Sequence, residues 1–244
     1  MTRKTRWVAG TAAALVVVIA GAGIALWQVF GGNAPAPAAL TTLRSSTPSS
    51  SASASGSSDG SLDGTWTIDT ASGSLADGSS TYAGYRVQEE LSGVGANTAV
   101  GRTQNVTGTM TIDGTTITAL EVTVDMTTLQ SDKAQRDDQL RERGLETDRF
   151  PTATFTLTQP IEVGEAPKDG EAIELTAVGD LTLHGVTKQV SVPLQAVLSG
   201  GEIQAVASLD VALADYDIEK PTGFLILSIA DTGTIELHLL FQHG

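Results

Sequence analysis

Ile173 to Leu213 reads IELTAVGDLTLHGVTKQVSVPLQAVLSGGEIQAVASLDVAL, and its period of two decides the fold class. Ile173, Leu175, Ala177, Leu181 and Leu183 alternate with Glu174, Thr176, Asp180 and Thr182. Val190, Val192 and Leu194 then alternate with Gln189, Ser191 and Gln195, and Ile203 through Leu213 repeats the pattern against Glu202, Gln204, Ser208 and Asp210. Strict alternation puts one face of a strand in the core and the other in water, as in antiparallel sheets. His184-Gly185 and Gly200-Gly201 supply the left-handed residues that tight hairpins require.

The same reading extends outward in both directions. Downstream, Ile235, Leu237, Leu239 and Phe241 oppose Thr234, Glu236 and His238. Upstream, Ala153, Phe155 and Leu157 alternate with threonines, Leu120, Val122, Val124 and Met126 with Glu121, Thr123 and Asp125, and Val106, Met110 and Ile112 with Asn105, Thr109 and Thr111. About eight or nine strands joined by short turns predict an all-β, antiparallel up-and-down barrel, closed so that no edge is left to aggregate. A sandwich satisfies the alternation almost as well. One helix interrupts the meander, with Ser131 as N-cap and Gly144 as its stop. Only Ala134 and Leu140 are apolar within it, so it is expected on the surface.

Ala119, Ala153, Ala177, Ala196, Ala205, Ala207, Gly108 and Gly179 fall on the inward parity and offer little volume. An eight-stranded barrel is either filled by side chains or hollow enough for one small guest. A dry lumen takes an apolar guest, since water inside would lack partners. Neighbouring large residues that interdigitate and fill the space are the alternative.

Before the barrel the composition changes twice. Trp7 to Phe30 holds no charge, and as a helix it spans about 36 Å, enough for a hydrocarbon core of roughly 30 Å. With Arg3, Lys4 and Arg6 ahead of it, residues 1–30 are expected to form a cytoplasmic stub and single transmembrane anchor, leaving the rest outside. Secretion after cleavage at Ala36-Pro37-Ala38 is the alternative. Residues 31–63, rich in Ser, Pro, Ala and Gly, read as a flexible linker reaching roughly 30 Å. Residues 64–244 are the barrel domain. From Gly64 onward 10 basic residues face 26 acidic ones, a balance of −16, which argues against nucleic acid as partner. The chain lacks cysteine, which removes thiolate chemistry, disulfides and a lipidated Cys together. His184, His238 and His243 have no metal-ligand spacing, so neither metal nor cofactor is expected.

Several segments together resemble the YceI-like family. Ser131-Asp132, Arg136-Asp137, Leu140 and then Asp148 to Phe155 (DRFPTATF) are similar to the family's helix leading into an FP-x-A-x-F strand. Gly179 to Lys188 (GDLTLHGVTK) is similar to its G-x-L-T-x-x-G-V-T-K hairpin, and Gly233 to Leu237 fits its closing strand. The likeness runs in order over nearly all of residues 64–243. It implies a lipocalin-like barrel with a tunnel for a polyisoprenoid or isoprenoid quinone, and no catalytic residues. One departure matters: Tyr85-Arg86-Val87-Gln88-Glu89 has Glu89 where many relatives carry His.

A polyprenol or menaquinone carrier or buffer held at the membrane is therefore the expected function, and an enzyme is not. A filled-barrel interaction module of the envelope is the alternative. The expected lumen residues are Tyr85, Val87, Glu89, Val122, Val124, Phe150, Phe155, Leu181, Leu183, Leu209 and Leu237. Glu89 either hydrogen-bonds a polar ligand end as the protonated acid or pairs with Arg86 or Arg102. Lys133, Arg136, Arg141, Arg143 and Arg149 form the one basic cluster, with Arg136, Arg141 and Arg143 as head-group candidates. Ordinary pairing with the helix's own acids is the competing account.

Overall fold

A computed structural model of the chain describes residues 34–40, 62–222 and 225–244. Alternation becomes strand throughout: β1 (Gly64–Ile68), β2 (Tyr82–Leu91), β3 (Gly95–Thr103), β4 (Val106–Asp113), β5 (Thr116–Asp125), β6 (Gln130–Ser131), β7 (Thr152–Leu157), β8 (Ile161–Glu162), β9 (Ala172–Leu183), β10 (Val186–Ser199), β11 (Glu202–Ala212) and β12 (Ile226–His243). Among the described residues there is one α-helix, α1, Ala134–Gln139.

Several of these strands run end to end. β1 and β2 pair antiparallel with successive parts of β12, through Ile68↔Phe241 and Tyr82↔His238. β4 pairs with β1 and β3 with β2. β5 and β6 follow along β4 and β3, and β7 and β8 along β5. β7 pairs with β9, which leads through β10 and β11 back to β12. The described strands therefore make an all-antiparallel barrel of eight staves, closed by the β1–β12 pairing. β12, at 18 residues, is long enough to hold both β1 and β2 on one edge.

The turns follow from their residues. His184 and Gly185 have φ of 52° and 75°, and Gly200 and Gly201 have 61° and 85°. Two successive positive φ values give the hairpin twist that matches twisted strands. A bulge corrects one inward assignment. The β4–β5 register shifts between Thr111↔Ala119 and Ile112↔Ile117, which leaves Thr118 and Ala119 both exposed. Ala119 therefore does not face the lumen, because one extra residue flips the parity.

The helix also departs from expectation. Its N-cap is Lys133 rather than Ser131, which belongs to β6. Asp137 reaches back instead, its Oδ1 accepting from the Ser131 amide at 2.9 Å. After Gln139 the coil widens into a π-type turn, Leu140–Gly144, with Gly144 buried. That widening turns Leu140 and Leu145 towards one barrel mouth. The element is a cap on the lumen as well as a surface feature.

Among the described residues no helix is long and apolar enough to cross a membrane. The expected anchor over residues 1–30 lies outside the described residues. Of the expected linker, residues 34–40 and 62–63 are described, and residues 34–40 lie along the outer wall, where the Pro35 carbonyl accepts from Arg86.

Candidate functional site

The lumen holds two apolar chambers. One, of about 140 Å³, is walled by Met110, Leu120, Leu175, Leu194, Leu209 and their neighbours. The other, of about 180 Å³, is walled by Val87, Val124, Leu183, Val211 and Leu213, with Leu140 and Leu145 from the helical cap. Val122, Phe155, Leu181, Ile235 and Leu237 belong to both, so they form the waist between them. A cavity of about 150 Å³ lined by aliphatic and aromatic groups stays dry and accepts a benzene-sized guest. Each chamber is of that size.

The small inward residues do not all leave space. A methyl group on Gly179 would collide with the Phe155 ring, and one on Gly101 with the Tyr85 ring. Each ring thus lies over a glycine on the neighbouring strand. The two chambers meet at the shared waist, where the Phe155 ring lies over Gly179.

The second chamber has a polar corner. Glu89 points inward from β2, and its Oε1 accepts from Asn97 Nδ2 at 2.7 Å and from Arg136 Nη2 at 2.8 Å. Arg136 also donates from Nη1 to Asp132 Oδ1 at 2.5 Å. Burial alone would lower the Arg136 pKa, but the Glu89 charge and the two carboxylate hydrogen bonds raise it. The partner of Glu89 is therefore Arg136 from the helix, not Arg86 or Arg102. The Tyr85 hydroxyl is buried with no hydrogen-bond partner among the described residues. Burial raises its pKa, so it stays a protonated donor.

The expected site residues divide accordingly. Tyr85, Val87, Glu89, Val124 and Leu183 meet in the second chamber, Leu209 lies in the first, and Val122, Phe155, Leu181 and Leu237 serve both. Phe150 lines neither chamber. It shares parity with Thr152 rather than Phe155 and packs outside the mouth on His184, ring centroids 4.4 Å apart. Of the head-group candidates only Arg136 reaches the lumen. Arg141 is exposed and bonds Asp138 at 3.3 Å, and Arg143 borders an outer depression beside Glu142 and Glu146. In the corner one guanidinium faces two carboxylates, Glu89 and Asp132, a balance unsuited to a diphosphate.

Sequence reasoning missed Asn97 and the mouth residues Leu145, Ile218 and Ile229. Asn97 pairs across from Glu89 in the β2–β3 hairpin, a register that folding the chain about Ser92-Gly93 would have shown. The mouth residues lie outside the regular strands or beside irregular pairing in β12, where periodicity is silent. Outside that mouth His184 Nδ1 lies 2.9 Å from the Tyr216 carbonyl and Nε2 3.0 Å from Glu146 Oε2. The ring thus bridges the Tyr216 backbone and the Glu146 side chain. Among the described residues no three His, Asp or Glu side chains converge as metal ligands would.

Comparison with known proteins bears on this architecture. The YceI-like domain profile matches residues 60–241. Protein YceI of Shigella flexneri is 32% identical over 129 residues, covering 52% of this chain and 61% of that protein. A UPF0312 protein of Vibrio vulnificus is 32% identical over 138 residues, covering 53% and 69%. The chain thus spans about three fifths of the first of these relatives. Among solved structures, a polyisoprenoid binding domain from Saccharophagus degradans implicated in plant cell wall breakdown superposes with a TM-score of 0.56. It is 16% identical, with 73% of this chain and 98% of that one covered. BcnA of Burkholderia cenocepacia superposes with a TM-score of 0.51 at 18% identity, covering 65% and 95%. At these identities the two structures speak to the fold alone.

Proposed function

This chain belongs to the YceI-like domain family, and from that premise we propose that it binds an apolar isoprenoid lipid outside the cytoplasm. One observation carries the reading: two largely aliphatic chambers lie end to end, with charged groups at one end only. The name of the Saccharophagus neighbour, a polyisoprenoid binding domain, points the same way. Each buried methylene contributes roughly 0.8 kcal/mol, so even a short prenyl segment gains useful affinity.

The head of the lipid sits at the Tyr85–Arg136 corner and its tail runs towards Leu209. An unmade phenol donor and a carboxylate excess favour a neutral acceptor, such as a quinone carbonyl or an alcohol oxygen. A tail longer than one chamber passes the waist as Phe155 turns aside. Within this proposal, residues 7–30 tether the barrel to the membrane, and the chain acts as carrier or buffer of lipid at that surface.

The test is uptake from vesicles containing menaquinone or polyprenol, followed by native mass spectrometry of the protein. A single lipid per barrel is expected. A barrel that stays empty against both lipids overturns the proposal. The narrow waist favours a second reading, an interaction module without lipid. That reading predicts no uptake and capture of one envelope protein by the full chain.

A further inference from the structure

Ala34–Leu40 (APAPAAL) runs along the outside of the barrel, where two arginines hold it by its backbone. Arg86 donates from Nη2 to the Pro35 carbonyl at 2.7 Å, and Arg102 from Nη2 to the Ala36 carbonyl at 2.5 Å. Farther on, Ala38 lies beside Val206 and Pro193 in a shallow depression of the outer wall.

The wall in this region is unlike the rest of the exterior. Alternation turns Gln204, Val206, His238 and Leu240 away from the lumen, yet all four are buried, His238 and Leu240 beneath residues 69–81, where Ser80 and Thr81 hydrogen-bond them, and Val206 beside Ala38. Outward positions on β9 and β10, such as Glu174 and Gln189, are exposed. The arginines are also preset. Glu236, itself buried, places Oε1 3.0 Å from Arg86 Nε and Oε2 3.4 Å from Arg102 Nη2. The Arg102 guanidinium lies 4.3 Å over the Tyr82 ring, which stacks on His238. One carboxylate beneath two guanidiniums leaves a surplus positive charge, and backbone carbonyl dipoles suit it. Pro35 and Pro37 have no N–H, so the segment cannot add to the sheet as a strand. Proline also holds it extended in advance, which lowers the entropy lost on docking.

We propose that this outer wall is a docking groove for an extended proline-rich peptide and that Ala34–Leu40 is its occupant in cis. The barrel is thereby clasped to its own residues 34–40. Nothing in this depends on what the lumen binds.

The cysteine-free chain allows spin labels at Ala39→Cys and at Thr118→Cys, an exposed position on β5. Pulsed electron resonance on the labelled full-length chain is expected to give one narrow distance distribution. Arg86→Gln with Arg102→Gln should abolish the narrow peak. Pro35→Gly with Pro37→Gly should abolish it too, and that pair leaves the wall intact if the arginine variant fails to fold. A parent distribution already broad, or one that stays narrow in every folded variant, overturns the proposal.

Discussion

Glu89 and Arg136 are separated by 46 residues of intervening chain, yet their side chains meet at 2.8 Å on the lumen wall. Both are largely buried, so removing one partner strands the other charge away from water. Glu89→Leu or Arg136→Met alone should cost about 3–5 kcal/mol in urea unfolding, while the double replacement should lie much closer to the parent. The alternation made Glu89 inward, but it could not name the partner, because Arg136 arrives from an element that carries no period-two signal. Tyr85→Phe removes an unpaired donor and should leave stability within about 1 kcal/mol of the parent. It should weaken binding of an isoprenoid quinone and leave a pure hydrocarbon tail unaffected, as read by competition titration. His238 was legible as outward and is so, but its complete burial depends on the segments laid over it. Burial holds its pKa below the ordinary histidine value, the Arg102 charge adds to this, and the hydrogen bond to Ser80 opposes it. The unfolded ring takes up its proton near pH 6.5, and the folded ring only below that. Its contribution is therefore complete above about pH 6.5 and is lost as the pH falls through the window beneath it. The urea midpoint should drop from about pH 7.5 to about pH 5, and His238→Gln should flatten that part of the profile.

At the scale of elements, the period-two stretches over Ile173–Leu183 and Ile203–Leu213 became the long strands β9 and β11. Those over residues 105–126 were legible except at one place. The extra residue near Thr118 reverses parity, and no local chemistry in Ile117-Thr118-Ala119 announces it. The expected eight or nine strands agree with the eight staves, although the staves are made of twelve segments. Excursions such as residues 69–81 break a stave without ending it, so one stave appears as two segments. The helical cap was legible as a helix but not as a lid, since the π-type turn that redirects Leu140 and Leu145 depends on packing at the mouth. Asp137 fastens that cap through the Ser131 amide. Asp137→Ala should therefore destabilise by about 1–2 kcal/mol and speed release of a fluorescent polyene tail, measured by stopped flow.

At the scale of the molecule, closure of eight staves fixes the direction of everything inside. Most threonines, aspartates and glutamates point to water, which gives the domain its acidic exterior, and most leucines and valines point to the axis. The alternation foretold that axis, but not that the Phe155 and Tyr85 rings would lie over glycines of the neighbouring strands. A lumen defined by side-chain volume can be filled by side-chain volume. Ala177 lines the first chamber and Ala153 the second, each on its own strand. Tryptophan at either position should occupy lumen space while leaving the outer wall and the clasp unchanged. The decisive measurement is native mass spectrometry of the parent and of Ala177→Trp after equilibration with menaquinone-containing vesicles, with folding checked by circular dichroism. Lipid in the lumen predicts one menaquinone per parent barrel and a loss of at least tenfold in occupancy for the folded variant, roughly 1.4 kcal/mol of binding free energy. Equal occupancy in the two folded proteins would contradict it.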